Sequence, residues 1–284
     1  MSTYSEKSFD SEFYQENRPT YPKSLYRAIV SYHQGPAVNV IDIGCGTGIS
    51  TFPLLEYFGS VIGSDPSSTM LTSAERMKSR LNPHDQNRLK FQQCAAEEIS
   101  SLAKNSTVDM VVGAESVHWL DHDRFFDQVH QVLRPGGTVA YWFYVEPIFL
   151  DFPEANVIYE KYVYEDPAYM GPLWKSGKEN LRYFGEPINI PHDKFGELQK
   201  HIYRPLQSNV KTQYYEHREA FTMNDFRKYL RSWSAYHTWQ QKYGGTGADV
   251  AEMLIQELKQ RCNWDEQTPL RVEWGTAYYM ARKK

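Results

Sequence analysis

Along the first half of the chain, short β-branched and apolar runs alternate with segments whose apolar positions recur every three or four residues. The run Val38-Asn39-Val40-Ile41-Asp42-Ile43 ends in glycines and predicts a buried parallel strand. Further strands are predicted at Ser60–Asp65, Leu89–Gln92, Val108–Gly113 and Thr138–Val145. Helices are predicted from Pro22 to about His33, Gly48 to Tyr57, Ser67 to Lys78 and His122 to Val132. Proline suits the first turn of the first of these. Ser67 or Ser68 suits the cap of the third. Phe125, Phe126, Val129 and Val132 share one face of the fourth. Pro135-Gly136-Gly137 reads as a turn before the fifth strand. Strands alternating with helices in this way predict an α/β fold, a parallel sheet covered on both faces.

The alternation stops near Glu146. Residues 146–200 are rich in Pro, Tyr and charge and suggest short helical pieces. A strand is expected within 203–216, helix over 222–262 with a break at Gly244-Gly245-Thr246-Gly247, and a last strand from Leu270 to Ala281. The chain therefore divides into an arm and first helix (1–37), a ligand-binding core (38–145), and cap inserts with the last strands of the sheet (146–284). No internal repeat or low-complexity tract interrupts it.

Charge and cysteine content narrow the function classes. The 284 residues carry a formal net charge of −4. No basic run offers a phosphate track, which argues against nucleic acid as a partner. The terminal Arg282-Lys283-Lys284 reads as a short solvated tail. Cys45, Cys94 and Cys262 are too widely spaced for a zinc pattern or a disulfide framework, so no metal is expected and a reducing compartment is the simpler reading. The N-terminus lacks the apolar core of a signal peptide and no stretch is long enough to span a bilayer, so a cytoplasmic chain without a membrane partner is expected. No exposed apolar helix pattern stands out, and a monomer is the expectation.

The candidate chemistry begins at Asp42-Ile43-Gly44-Cys45-Gly46-Thr47-Gly48. A glycine turn between strand and helix lets a ligand approach the backbone, where a side chain would block it. The spacing is G-x-G-x-G, not the G-x-G-x-x-G that cradles a pyrophosphate. Asp42, two residues before the first glycine, would repel a pyrophosphate and suits an ammonium group, such as the methionine end of S-adenosylmethionine. Asp65, ending the second strand, can accept hydrogen bonds from both ribose hydroxyls, a role equally at home in dinucleotide enzymes. A P-loop lysine pattern is absent.

The loop, Asp65, Cys94-Ala95-Ala96-Glu97 and Leu133-Arg134-Pro135-Gly136-Gly137 together resemble the class I S-adenosylmethionine-dependent methyltransferases over residues 38–145. Arg18-Pro19-Thr20-Tyr21-Pro22, Glu115-Ser116-Val117-His118-Trp119 and Trp233-Ser234-Ala235-Tyr236-His237-Thr238-Trp239 resemble a narrower fungal group that includes trans-aconitate and cantharidin methyltransferases. Asp65-Pro66-Ser67-Ser68 and Trp142-Phe143-Tyr144 are more similar to the cantharidin branch. The resemblance implies a Rossmann-like, mostly parallel sheet with an antiparallel last strand and a mainly helical cap. It also implies S-adenosylmethionine as cofactor, S-adenosylhomocysteine as product, and methylation of a small molecule, most readily a carboxylate oxygen of an organic acid.

Site roles come with it. Gly44, Cys45, Gly46 and Gly48 should flank the methionine portion, Asp65 the ribose, Ala96 and Glu97 the adenine edge. Met70 should cover the adenine, or is ordinary core packing. Glu97 is otherwise a first-turn acid. Arg18 reaches the cofactor carboxylate, or is a surface ion-pair residue. Glu115, His118 and Trp119 follow the fourth strand at the carboxyl edge of the sheet, where ligands bind. His118 can act as a base, as a protonated anion contact or as a structural residue. Trp142, Tyr144, Trp233 and Tyr236 are acceptor-pocket candidates, or core between cap and sheet. Arg231 and His237 are further anion-contact candidates. A phenol, lipid or carbon acceptor, and a non-catalytic binding protein, stand as alternatives.

Overall fold

A computed structural model of the chain describes Tyr4, Glu6 and residues 9–174, 177–247 and 249–284. The rest of the predicted arm, at 1–3, 5, 7 and 8, lies outside the described residues. Within it, helix α1 (Ser11–Asn17) starts where the Asp10 carboxylate accepts the Phe13 N–H. Helix α2 (Lys23–Tyr32) follows Pro22 and buries Leu25, Tyr26, Ile29 and Tyr32, a stripe at helical spacing.

The core strands are β1 (Asn39–Ile43), β2 (Ser60–Asp65), β3 (Leu89–Gln93), β4 (Val108–Ala114) and β5 (Leu133–Phe149). Helices α3 (Ser68–Lys78), α4 (Pro83–Arg88) and α5 (His122–Val132) connect them. Ser67 caps α3 by accepting the Met70 N–H at 3.2 Å. The second half adds α6 (Pro153–Glu160), α7 (Lys178–Arg182), β6 (Phe195–Tyr203) and β7 (Glu216–Phe221). It continues with α8 (Met223–Arg231), α9 (Ser234–Tyr243), α10 (Val250–Cys262) and β8 (Leu270–Lys283).

The strands form one sheet in the order β3-β2-β1-β4-β5-β8-β6, with β7 also paired to β8. Strands β1 to β5 are parallel, and β8 runs antiparallel to β5, β6 and β7. This is the Rossmann-like, mostly parallel sheet with an antiparallel last strand expected from the sequence. The central strands β1, β4 and β5 bury both faces, while β3, β6 and β7 are largely exposed. In β5, Ala140, Trp142 and Tyr144 enter one core, and Val139, Tyr141, Phe143 and Val145 the other. Register sets the functional edge: Ile43 stands opposite Ser64 of β2 and Gly113 of β4, so the loops after β1, β2 and β4 emerge together.

Several elements depart from the sequence pattern. The helix expected at Gly48–Tyr57 is a series of turns ending in a 3-10 helix, Phe52–Glu56. Pro53 has no N–H to give an i→i−4 bond. The Pro135-Gly136-Gly137 turn is a bulge inside β5, between the Val108–Leu133 and Met110–Thr138 pairs. Residues 204–215, expected to hold a strand, form an irregular link between β6 and β7, in which Pro205 lacks a donor and Leu206 sits at φ 63°. The helical run 222–262 breaks a first time at Ser232-Trp233, between α8 and α9. The basic C-terminus is solvated only at Lys284. Arg282 is buried, donating to the Tyr32 carbonyl and pairing with Glu197, while the Lys283 ammonium caps the His130 and Leu133 carbonyls.

Candidate functional site

The glycine loop leaves β1 in a left-handed conformation, with Gly44, Gly46 and Gly48 at φ 58°, 55° and 91°. A Cβ on Gly44 would meet the Ser116 Cβ at 2.5 Å, so the loop after β1 packs directly on the loop after β4. A Cβ on Gly46 would meet the Met70 methyl at 3.4 Å, inside a cleft that both residues line. Asp65 ties the edge together. Its carboxylate accepts the Gly46 N–H at 2.9 Å and the Ser67 N–H at 2.8 Å. Burial raises its pKa, and those two N–H groups pull it back.

The cleft has a volume of about 1040 Å³. Gly44, Cys45, Gly46, Asp65, Met70, Glu115 and Trp119, all anticipated from the sequence, line it together. Tyr14 and Tyr21 of the arm, and Ser116, also line it and were not anticipated. A second chamber of about 500 Å³ adjoins it. Tyr4, Tyr14, Glu115 and Trp119 line both. The second chamber gathers the anticipated Arg18, His118, Tyr144 and Trp233 with residues not anticipated from the sequence, among them Glu146, Trp174, Lys178 and Tyr229.

Charge in this chamber is unevenly matched. Lys178 pairs with Glu146 at 3.2 Å and lies 4.4 Å from the Trp174 ring centre. Glu146 also accepts the Tyr159 and Tyr164 hydroxyls. Burial opposes its charge, but Lys178 and the two hydroxyls outweigh that and hold its pKa below the ordinary value. Arg18 is different. It donates to the Tyr144 hydroxyl at 3.1 Å and the Ser232 carbonyl at 3.4 Å, and stands 4.8 Å from the Tyr14 ring centre. Its Nε is buried without a partner, and no carboxylate among the described residues forms an ion pair with it. A half-buried cation without an ion pair keeps its charge uncompensated, which leaves it available to an anion.

His118 is only 2% exposed, 4.5 Å from the Trp119 ring centre, and its Nδ1 is buried without a partner. Burial, then Lys178 and Arg18, push its pKa well down. The imidazole is therefore neutral at pH 7, which removes the protonated anion contact from its open readings.

Other anticipated residues lie off both cavities. Asp42 is wholly buried beneath the loop, accepting the Ser50 and Thr51 hydroxyls at 2.7 and 2.6 Å, so its charge does not face a ligand. Burial raises its pKa to about 7. Gly48 backs onto the Phe52 ring. Ala96 is core, and Glu97 accepts the Asp121 N–H at 3.1 Å. Trp142 is buried against Tyr21 and Tyr26. Tyr236 donates to Asp249, Arg231 pairs with Asp249 and Glu252, and His237 meets Glu6. Among the described residues, no cluster of His, Cys, Asp and Glu could hold a metal, and no helix is long and apolar enough to cross a membrane.

Comparison with known proteins agrees with this edge. Residues 41–141 match the methyltransferase domain family model. The chain is 39% identical to the probable S-adenosylmethionine-dependent methyltransferase CRG1 of Saccharomyces cerevisiae, over 100% of this chain and 99% of that protein. It is 28% identical to the methyltransferase pgmE of Aspergillus terreus, over 72% of this chain and 65% of that protein. In fold it is similar to a solved candidate type II methyltransferase of Anaeromyxobacter dehalogenans, with a TM-score of 0.66, 24% identity, and 93% and 97% of the two chains covered. The full-length match to the yeast protein, on a sheet whose glycine loop and Asp65 frame an open cleft, shows that this chain belongs to the class I S-adenosylmethionine-dependent methyltransferases.

Proposed function

We propose that this methyltransferase esterifies a carboxylate oxygen of a small organic acid seated in the second chamber. The first cleft fits S-adenosylmethionine. Gly46 leaves its floor open, Met70 offers an apolar wall, and Asp65 supplies an acceptor for ribose hydroxyls. When bound, that cofactor supplies a methyl group on a positively charged sulfur.

The observation that carries the proposal is Arg18, a cation lining the adjoining chamber without a carboxylate partner among the described residues. It supplies the charge that a carboxylate acceptor would meet. Such an acceptor has a pKa near ~4 and is ionised at neutral pH, so no base need remove a proton. The lowered pKa of His118 agrees, because a strongly depressed imidazole is a poor base. Trp119, Trp174 and Trp233 supply aromatic walls that exclude water from the anion.

Charge count favours an acid with few carboxylates and an apolar body. Lys178 is already paired with Glu146, which leaves Arg18 as the lining cation without an ion pair among the described residues. A tricarboxylate such as trans-aconitate would bring more charge than Arg18 can match, whereas the diacid of opened cantharidin suits the aromatic walls.

The test is transfer of isotopic methyl from S-adenosylmethionine to a panel of small acids, with the product treated with mild alkali. A labelled acid whose label alkali releases supports the proposal. Efficient labelling of an alkali-stable phenol, lipid or carbon product, with no acid labelled, overturns it.

A further inference from the structure

Among the described residues, Glu115 is the acid that lines both chambers. It follows β4 directly and is held in a left-handed conformation, φ 50°, uncommon outside glycine. Two bonds to β5 fix it there. Its N–H donates to the Trp142 carbonyl at 3.0 Å, and its Oε1 accepts the Tyr144 N–H. A strained acid clamped at the junction of two cavities is placed where a donor and an acceptor would meet.

The groups that act on it come from several elements. Arg18 follows α1, Lys178 lies on α7, and Glu146 lies beyond Tyr144 on β5. Tyr14, Tyr21, Tyr144, Tyr214 and Tyr229 also feel its charge. Burial raises its pKa to about 8, the Tyr144 N–H and Arg18 and Lys178 pull against that, and Glu146 adds to it. At neutral pH the carboxyl keeps its proton. Oε1 is engaged by the Tyr144 N–H, which leaves the O–H on Oε2 as a donor.

We propose that Glu115 is a specificity residue: its O–H donates to one oxygen of the acceptor carboxylate, leaving the second oxygen to take the methyl group. This rests on the carboxylate reading above. In the transfer, the free oxygen forms the new C–O bond while the C–S bond breaks and its electron pair goes to sulfur. The negative and positive charges cancel, both products are neutral at the reacting atoms, and Glu115 keeps its proton. Arg18 balances the acceptor charge beforehand. Above the Glu115 pKa two carboxylates would face each other across the junction, and the acceptor would be repelled.

The experiment uses the acid labelled best in the panel and compares the wild-type chain with Glu115→Gln and Glu115→Ala from pH 6 to 9.5. S-adenosylhomocysteine affinity is measured alongside by calorimetry. In the wild type, acceptor KM should rise roughly tenfold per pH unit above about 8. Glu115→Gln keeps an N–H donor, so it should cost about threefold to tenfold at pH 6.5 and remove the alkaline rise. Glu115→Ala should raise acceptor KM about tenfold or more at every pH, with cofactor affinity changed less than about threefold. An alkaline rise that survives in Glu115→Gln belongs to another group, Asp42 foremost, and overturns the inference. So does a loss of cofactor affinity that matches the loss of activity. If no acid is labelled in the panel, the carboxylate reading has failed before any variant is made, and the inference falls with it.

Discussion

The Arg18 guanidinium reaches the Tyr144 hydroxyl, 126 residues away in sequence, at 3.1 Å. That contact joins the N-terminal arm to the fifth strand over the second chamber. It gives the arm a part in the proposed acceptor site, because Arg18 brings a charge there that pairs with no carboxylate among the described residues.

Replacing Arg18 with alanine should therefore act on the acceptor. Acceptor KM is expected to rise about thirtyfold, while S-adenosylhomocysteine affinity changes by less than about threefold, since charged hydrogen bonds contribute roughly 1.5–3 kcal/mol. Arg18→Lys keeps the charge but loses the planar fork and should recover only part of the loss. Steady-state kinetics and calorimetry on the same preparations separate this from a role at the cofactor carboxylate, in which S-adenosylhomocysteine affinity would fall instead.

Asp65 predicts the converse pattern. Its carboxylate holds the Gly46 and Ser67 N–H groups as well as lining the cleft. An asparagine can accept one of those N–H groups but turns a second donor towards the other. Asp65→Asn should weaken S-adenosylhomocysteine binding about tenfold or more, with acceptor KM at saturating cofactor nearly unchanged. Unchanged cofactor affinity by calorimetry would remove Asp65 from the binding site.

The contrast between Asp65 and Lys178 shows where sequence reasoning reaches and where it ends. Asp65 was legible because it closes a β-branched strand next to a glycine loop, and parallel register brings such strand ends level. The helix expected after Gly48 misled because Pro53 and the Asp42–Ser50–Thr51 hydrogen bonds turn the chain differently. Lys178 carries no such local mark. It reaches the chamber because α7 packs on the turn at Val117–Trp119, where Asn180 donates to the His118 carbonyl at 3.3 Å, a tertiary contact that no spacing encodes. Trp142 and Tyr236 failed for a related reason. Aromatic residues serve cores and pockets alike, and only the fold decides which.

Wholly or partly buried acids with raised pKa make stability fall as pH rises. Burial raises Asp42 and Glu216 to about 7 and Glu115 to about 8. Each holds its proton more tightly folded than unfolded, so its contribution is complete below the unfolded pKa near ~4 and is lost as pH climbs through the folded value. Thermal unfolding of the ligand-free chain should show Tm falling by about 5 °C between about pH 6.5 and 8, above the range in which the lowered His33, His118, His130 and His201 add an opposing rise. Asp42→Asn should flatten that slope. A Tm that holds steady or rises over this range would contradict the charge states assigned to these three groups.

His118 provides the sharpest division between acceptor classes. Its imidazole is buried against Trp119 and Phe143, and its pKa is pushed well down by burial and by the Lys178 and Arg18 cations. A group that binds a proton so weakly contributes little general-base catalysis, which otherwise supplies roughly 10²–10⁴-fold. A carboxylate acceptor arrives without a proton to lose. His118→Asn keeps a polar side chain of similar reach and should lower kcat less than tenfold at saturating acceptor, an upper bound of about 1.4 kcal/mol on any transition-state role. The rate should also show no acid limb at the His118 pKa. A loss near a thousandfold, with normal cofactor affinity and an unchanged unfolding curve, would mean that a proton is removed during transfer, and the acceptor would then be a hydroxyl or a carbon acid.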